Sequence, residues 1–136
     1  MIKLPSTLAQ QITYLGLDGC LTCNYISPVI KMCASQKLFD NLFYSHFQSK
    51  EIYHNRAKKL LDKYKLNVDG PVPIPLIIIT IGETTSIASQ TVIEEVACKI
   101  QEELTEEELF AFFDEDLEKN GFVLSLVSKI ISETMY

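Results

Sequence analysis

The chain has 136 residues, 47% of them hydrophobic and 22% charged, with a formal net charge of −6. That length and apolar content suit one domain around a single buried core and argue against a disordered chain. The negative balance argues against nucleic acid or an acidic membrane surface as a partner. The first residues, Met1-Ile2-Lys3-Leu4-Pro5-Ser6, lack the charged-then-apolar order of a secretion signal. No apolar run has the length of a membrane span; the longest, residues 76–79 with Ile81, suits a buried strand. A cytoplasmic location and no membrane attachment are the expectation.

Residues 1–11 form a short leader of weak pattern. Residues 12–17, Ile-Thr-Tyr-Leu-Gly-Leu, predict a central strand, and Asp18-Gly19 is turn chemistry. Cys20-Leu21-Thr22-Cys23 follows at once. Over residues 24–36, Ile26, Val29, Ile30 and Cys33 fall at i, i+3, i+4 and i+7, one face of a helix that contains Pro28. Residues 37–41 are a connection, and the aromatic-rich residues 42–48 predict a second strand. Residues 55–66 predict a helix: Ala57, Leu60, Leu61 and Tyr64 face inward, and Arg56, Lys58, Lys59, Lys63 and Lys65 cover the rest.

A proline-rich loop over residues 67–75 leads into Leu76-Ile77-Ile78-Ile79-Thr80-Ile81, the strongest strand pattern in the chain. Gly82-Glu83-Thr84 turns it into a short strand at residues 85–88, a hairpin. Thr91 with Glu94 has the form of a capping box opening a helix with Val92, Val96, Ile100 and Leu104 inward. Thr105 with Glu108 predicts another helix, carrying Leu109, Phe112, Phe113 and Leu117 and stopped at Asn120-Gly121. Residues 122–134 predict a last amphipathic helix. The first two strands and their crossover make a parallel βαβ unit, to which the hairpin adds an antiparallel strand.

Two thiols at a strand-to-helix junction have a physical use. Helix N–H groups and the macrodipole favour an anion at the first, and the second lies one turn on, within reach of a disulfide. Thiol–disulfide exchange is the reaction class that follows. A tetrahedral metal site needs four ligands, and Cys33, Cys98, His46 and His54 would have to converge to supply them; no metal and no organic cofactor is expected.

With these residues in place, the chain resembles the thioredoxin-like family over roughly residues 12–104. Pro28 stands five residues after Cys23, where thioredoxins carry a helix-kinking proline. Ile74-Pro75 before the apolar strand resembles the family's cis-proline segment, and Gly82-Glu83 the turn that follows it. The chain departs from the family at Leu21-Thr22 between the cysteines, at Gly19 where a tryptophan is usual, and at Tyr14 where a buried acid is usual. Glutathione-binding signatures are absent, although the short leader is glutaredoxin-like.

The resemblance implies a three-layer α/β fold with a mixed four-stranded sheet flanked by helices over residues 1–104, and a C-terminal helical extension over 105–136. It implies a protein thiol–disulfide oxidoreductase in which Cys20 attacks and Cys23 resolves. Ile74 and Pro75 would shape the substrate groove, the residue before Pro75 leaving its carbonyl and N–H for an extended chain, with Gly19 and Pro28 structural beside the site. Partners would be protein thiols and disulfides, a redox partner protein, and a second copy if the apolar tail forms a dimer. The alternative is a thioredoxin-like binding module whose helical tail mediates a protein–protein contact.

Overall fold

The computed structural model describes residues 9–35, 37–68, 70–103 and 117–132. Its elements run β1 (Ala9–Leu17), α1 (Leu21–Ser35), β2 (Phe39–Phe47), α2 (Lys50–Lys63), β3 (Leu76–Ile81), β4 (Thr84–Ile87), α3 (Gln90–Glu103) and α4 (Leu117–Ser132). The four strands form one mixed sheet in the order β2-β1-β3-β4. β1 pairs parallel with β2, from Ala9 opposite Phe39 to Leu17 opposite Phe47. It pairs antiparallel with β3, and β3 with β4.

β1 is central and has helices on both faces. Residues 12–17 are therefore buried without a break, Thr13 included. Its even-numbered residues Ile12 and Tyr14 pack with Ile77 and Ile79 of β3 against α1, α3 and α4, through Ile26, Val29, Ile30, Val96, Ile100, Val127 and Ile130. Its odd-numbered residues Leu15 and Leu17 pack with Leu76 and Ile78 against Tyr53, Ala57 and Leu61 of α2. Fully burying one such aliphatic side chain contributes about 1.5–3 kcal/mol, which makes this sheet the chief source of stability.

Several boundaries differ from the sequence expectation, each for a local reason. β2 takes in residues 39–41, expected as a connection, because the parallel register supplies Ala9 and Gln11 as their partners. α2 starts at Lys50 rather than 55, since the Ser49 side chain accepts from the Ile52 N–H. α3 starts at Gln90 and its first α-helical bond runs from the Ile93 N–H to the Ser89 carbonyl, so Thr91 lies inside the first turn and does not cap it. α4 runs straight through Asn120-Gly121, the expected stop. A glycine inside a helix costs about 1 kcal/mol, less than the burial of Leu126, Val127, Ile130 and Ile131 returns. The helix expected to open at Thr105 lies outside the described residues over most of its length. No helix among the described residues is long and apolar enough to cross a membrane.

Candidate functional site

The end of β1 sets the site. The Asp18 N–H donates to the Phe47 carbonyl and the Cys20 N–H to the Leu17 carbonyl, closing a turn over Asp18-Gly19. Gly19 has φ +81 with open space around it, so the backbone conformation and not crowding requires glycine there. Cys20 is the residue before α1, and its carbonyl accepts the Asn24 N–H. Its side chain fills the capping role: the Cys23 N–H donates to Cys20 Sγ at 3.1 Å. All four cysteines are free thiols.

The two thiols differ in environment. Cys20 is half-buried at the helix tip, beside an exposed Leu21. Cys23 is 1% exposed. Burial above all, then the hydrogen bond with Cys20, pushes the Cys23 thiol up to about 12, while bonds with the Leu17 backbone and the Tyr14 hydroxyl pull the other way. Cys23 therefore keeps its proton at neutral pH. Cys20 is the sulfur that solvent reaches.

Tyr14 lies under this pair. Its hydroxyl is 2.6 Å from Ser27 Oγ on α1, and its ring stacks on Tyr44 at 5.1 Å between centroids, with Lys31 Nζ 4.3 Å above the Tyr44 ring. Burial, reinforced by Cys23, raises the Tyr14 hydroxyl well above the ordinary tyrosine range. It acts as a hydrogen-bonding neutral group. Gly16 makes room for it: a Cβ there would meet Tyr14 Cε1 at 3.0 Å and His46 Nδ1 at 3.1 Å. His46 pairs through Nε2 with the Asp18 carboxylate at the mouth of the turn. The pairing comes from the β1–β2 register, which sets His46 opposite Gly16; nothing local in the sequence announces it.

On the far side, the Ile74–Pro75 peptide is cis and Pro75 is buried. Tyr53 Oη donates to the Pro73 carbonyl at 2.6 Å and anchors this loop to α2. Ile74 and Cys20 both pack against the apolar cluster that holds Leu17, Tyr53 and Leu76, which places the loop and the first thiol on the same face of the sheet. The Ile74 carbonyl is not open, contrary to the expectation of a free backbone edge. Gln90 Nε2, from the first residue of α3, donates to it at 2.8 Å. Gln90 Oε1 is buried and has no hydrogen-bond partner among the described residues. Sequence reading missed Gln90, Ser27 and the Asp18–His46 pair. All three sit in different elements from the groups they touch.

Pro28 lies inside α1, where its missing N–H leaves the Asn24 carbonyl without its helical donor. Cys33 faces the core, where burial pushes its thiol up to about 12. Cys98 is exposed on α3 and lines a cavity of about 270 Å³ with Leu21, Thr22 and Tyr25, beside the cysteine turn. Among the described residues no three His, Cys, Asp or Glu side chains form a group that could hold a metal ion.

Thiol–disulfide exchange needs an accessible sulfur and a second thiol within reach of it. One sulfur is accessible and receives a backbone donor, the second is one helical turn away and protonated, and a buried hydroxyl adjoins the second. No protein-family model, curated protein or solved structure matches the chain.

Proposed function

We propose that the β2-β1-β3-β4 layout is a thioredoxin-like fold and that the protein exchanges disulfides with protein substrates through Cys20 and Cys23. The Cys20 thiolate attacks one sulfur of a substrate disulfide. An S–S bond forms to Cys20, the substrate S–S bond breaks, and the departing substrate thiolate takes up a proton. Cys23 then loses its proton and attacks Cys20 Sγ, forming the Cys20–Cys23 disulfide and releasing the second substrate thiolate. Two electrons pass to the substrate, which leaves as a dithiol. The reverse sequence oxidises a substrate dithiol, and a partner thiol or disulfide protein resets the pair.

The observation that carries this reading is the 3.1 Å bond from the Cys23 N–H to Cys20 Sγ at the N-terminus of a 15-residue helix. It sets an accessible sulfur among helix N–H groups with its partner thiol in the same turn. Tyr14 and Ser27 support the second step by holding a neutral hydroxyl where the Cys23 sulfur must give up its proton.

Reduction of insulin in the presence of dithiothreitol tests the proposal. The wild type accelerates it, Cys20→Ser abolishes the acceleration, and Cys23→Ser traps a mixed disulfide visible by mass spectrometry. Equal, negligible rates in the wild type and Cys20→Ser, with no trapped species, would leave only a binding module.

A further inference from the structure

The group that holds the Ile74 carbonyl has a consequence for substrate choice. Gln90 Nε2 lies 2.8 Å from the Ile74 carbonyl oxygen and 3.5 Å from Glu94 Oε1. Both neighbours are acceptors, which identifies the nitrogen end of the amide and leaves Oε1 as the end without a partner among the described residues. The side chain therefore presents to Ile74 the donor that a neighbouring peptide backbone would present. An amide carries the same donor and acceptor as one peptide unit. Gln90 stands in for a substrate strand.

We propose that Gln90 is a specificity-determining latch: its amide occupies the Ile74 carbonyl and must swing away before an extended peptide chain can add its backbone there. The inference rests on the thiol-exchange reading and names the substrate feature that the site discriminates. Small disulfides reach Cys20 without touching Ile74 and do not depend on the latch. Extended chains compete with it.

The closed position is only weakly held. A typical internal hydrogen bond gains little net free energy, because water offers the same bond in the open state, whereas a buried acceptor without a donor loses its hydration outright. Closing the latch makes one bond to Ile74 and strands Oε1. Opening returns Oε1 to water or to a substrate N–H and frees the carbonyl. Gln90 is the first residue of α3 and only partly buried, so the side chain can leave without disturbing the helix. A substrate with well-placed backbone N–H groups displaces it, and one without them does not.

Gln90→Ala removes the amide. Gln90→Glu keeps its size but sets a carboxylate against a carbonyl, which cannot bond to it, so both variants stand open. Cys20 reactivity is measured in each with oxidised 2-hydroxyethyl disulfide, a small non-peptide probe, and with insulin. The expected result is an insulin rate raised about two- to fourfold in both variants, less than a full hydrogen bond because stranding Oε1 offsets part of it, with the small-disulfide rate unchanged. Unchanged or slower insulin reduction in both variants, with the small disulfide still reacting, overturns the latch and leaves the thiol-exchange reading standing. A wild type that reacts with neither probe faster than Cys20→Ser overturns the thiol-exchange reading and the latch with it.

Discussion

Tyr14 is buried under the thiol pair and joins β1 to α1. It bonds to Ser27 at 2.6 Å, and as a neighbour of Cys23 it pulls that thiol slightly down against the larger effect of burial. Tyr14→Phe removes the bond to Ser27 and leaves that half-buried hydroxyl without this partner. The variant is expected to lose about 1 kcal/mol of stability, read by urea unfolding. Its mixed disulfide with substrate should persist up to about threefold longer, read by quenched-flow mass spectrometry, because the resolving thiol loses the neighbour that favours its deprotonation. A shorter-lived mixed disulfide would remove Tyr14 from the second step. The β-strand position of Tyr14 and its buried character are plain from the apolar run of residues 12–17. Its bond to Ser27 is not, because the two residues lie on different elements and meet only when α1 packs on the sheet.

At the scale of the elements, helix ends carry information that periodicity does not. α1 and α2 both close with the same device. The Leu38 N–H donates to the Cys33 carbonyl and the Lys37 N–H to the Ala34 carbonyl. In α2, the Leu66 N–H donates to the Leu61 carbonyl and the Lys65 N–H to the Asp62 carbonyl. Both ends place a lysine in the left-handed region, Lys37 at φ 59 and Lys65 at φ 56, where glycine is usual. A Cβ in that conformation costs about 1 kcal/mol. Lys65→Gly is therefore expected to raise the stability of the protein by about 0.5–1 kcal/mol, a small increase in the urea midpoint. A fall in the midpoint would mean that glycine's freedom in the unfolded chain outweighs the relief of strain. Sequence reading places both helices by their apolar spacing and ends α1 within about a residue, but it starts both helices late and ends α2 late, because lysine does not announce a left-handed cap.

For the whole molecule, burial of titratable groups ties the fold to pH. Cys23 and Cys33 are each raised from an ordinary 9.0 to about 12 by burial. The fold binds their protons more tightly than the unfolded chain does. Their contribution is complete below the unfolded value of 9.0 and is lost as pH rises toward about 12. Tyr14 and Tyr53, both raised by burial, act in the same direction at higher pH. Urea stability should be level through neutral pH and then fall from near pH 9, by about 1.4 kcal/mol per pH unit for each buried thiol. Cys33→Ala should be less stable at neutral pH, from the cavity it leaves, and should show a shallower alkaline fall. Parallel pH profiles for the two proteins would place the alkaline loss elsewhere.

Element order, the parallel crossover, the apolar faces and the cysteine pair at a strand-to-helix turn are all legible in the order of the residues. Period-2 and period-3.6 patterns and turn residues are local, and local rules read them. Leu76–Ile81 has the bounds expected for it because both faces are apolar and Pro75 and Gly82 bracket it. The surroundings of the thiols come from how the elements dock. Register set His46 beside Gly16 and Asp18, packing set Tyr14 against Ser27, and the approach of α3 to the proline loop set Gln90 on the Ile74 carbonyl. The last two contacts join residues 13 and 16 apart, and His46 and Asp18 are 28 apart. Their geometry depends on how whole elements dock, which no residue spacing encodes.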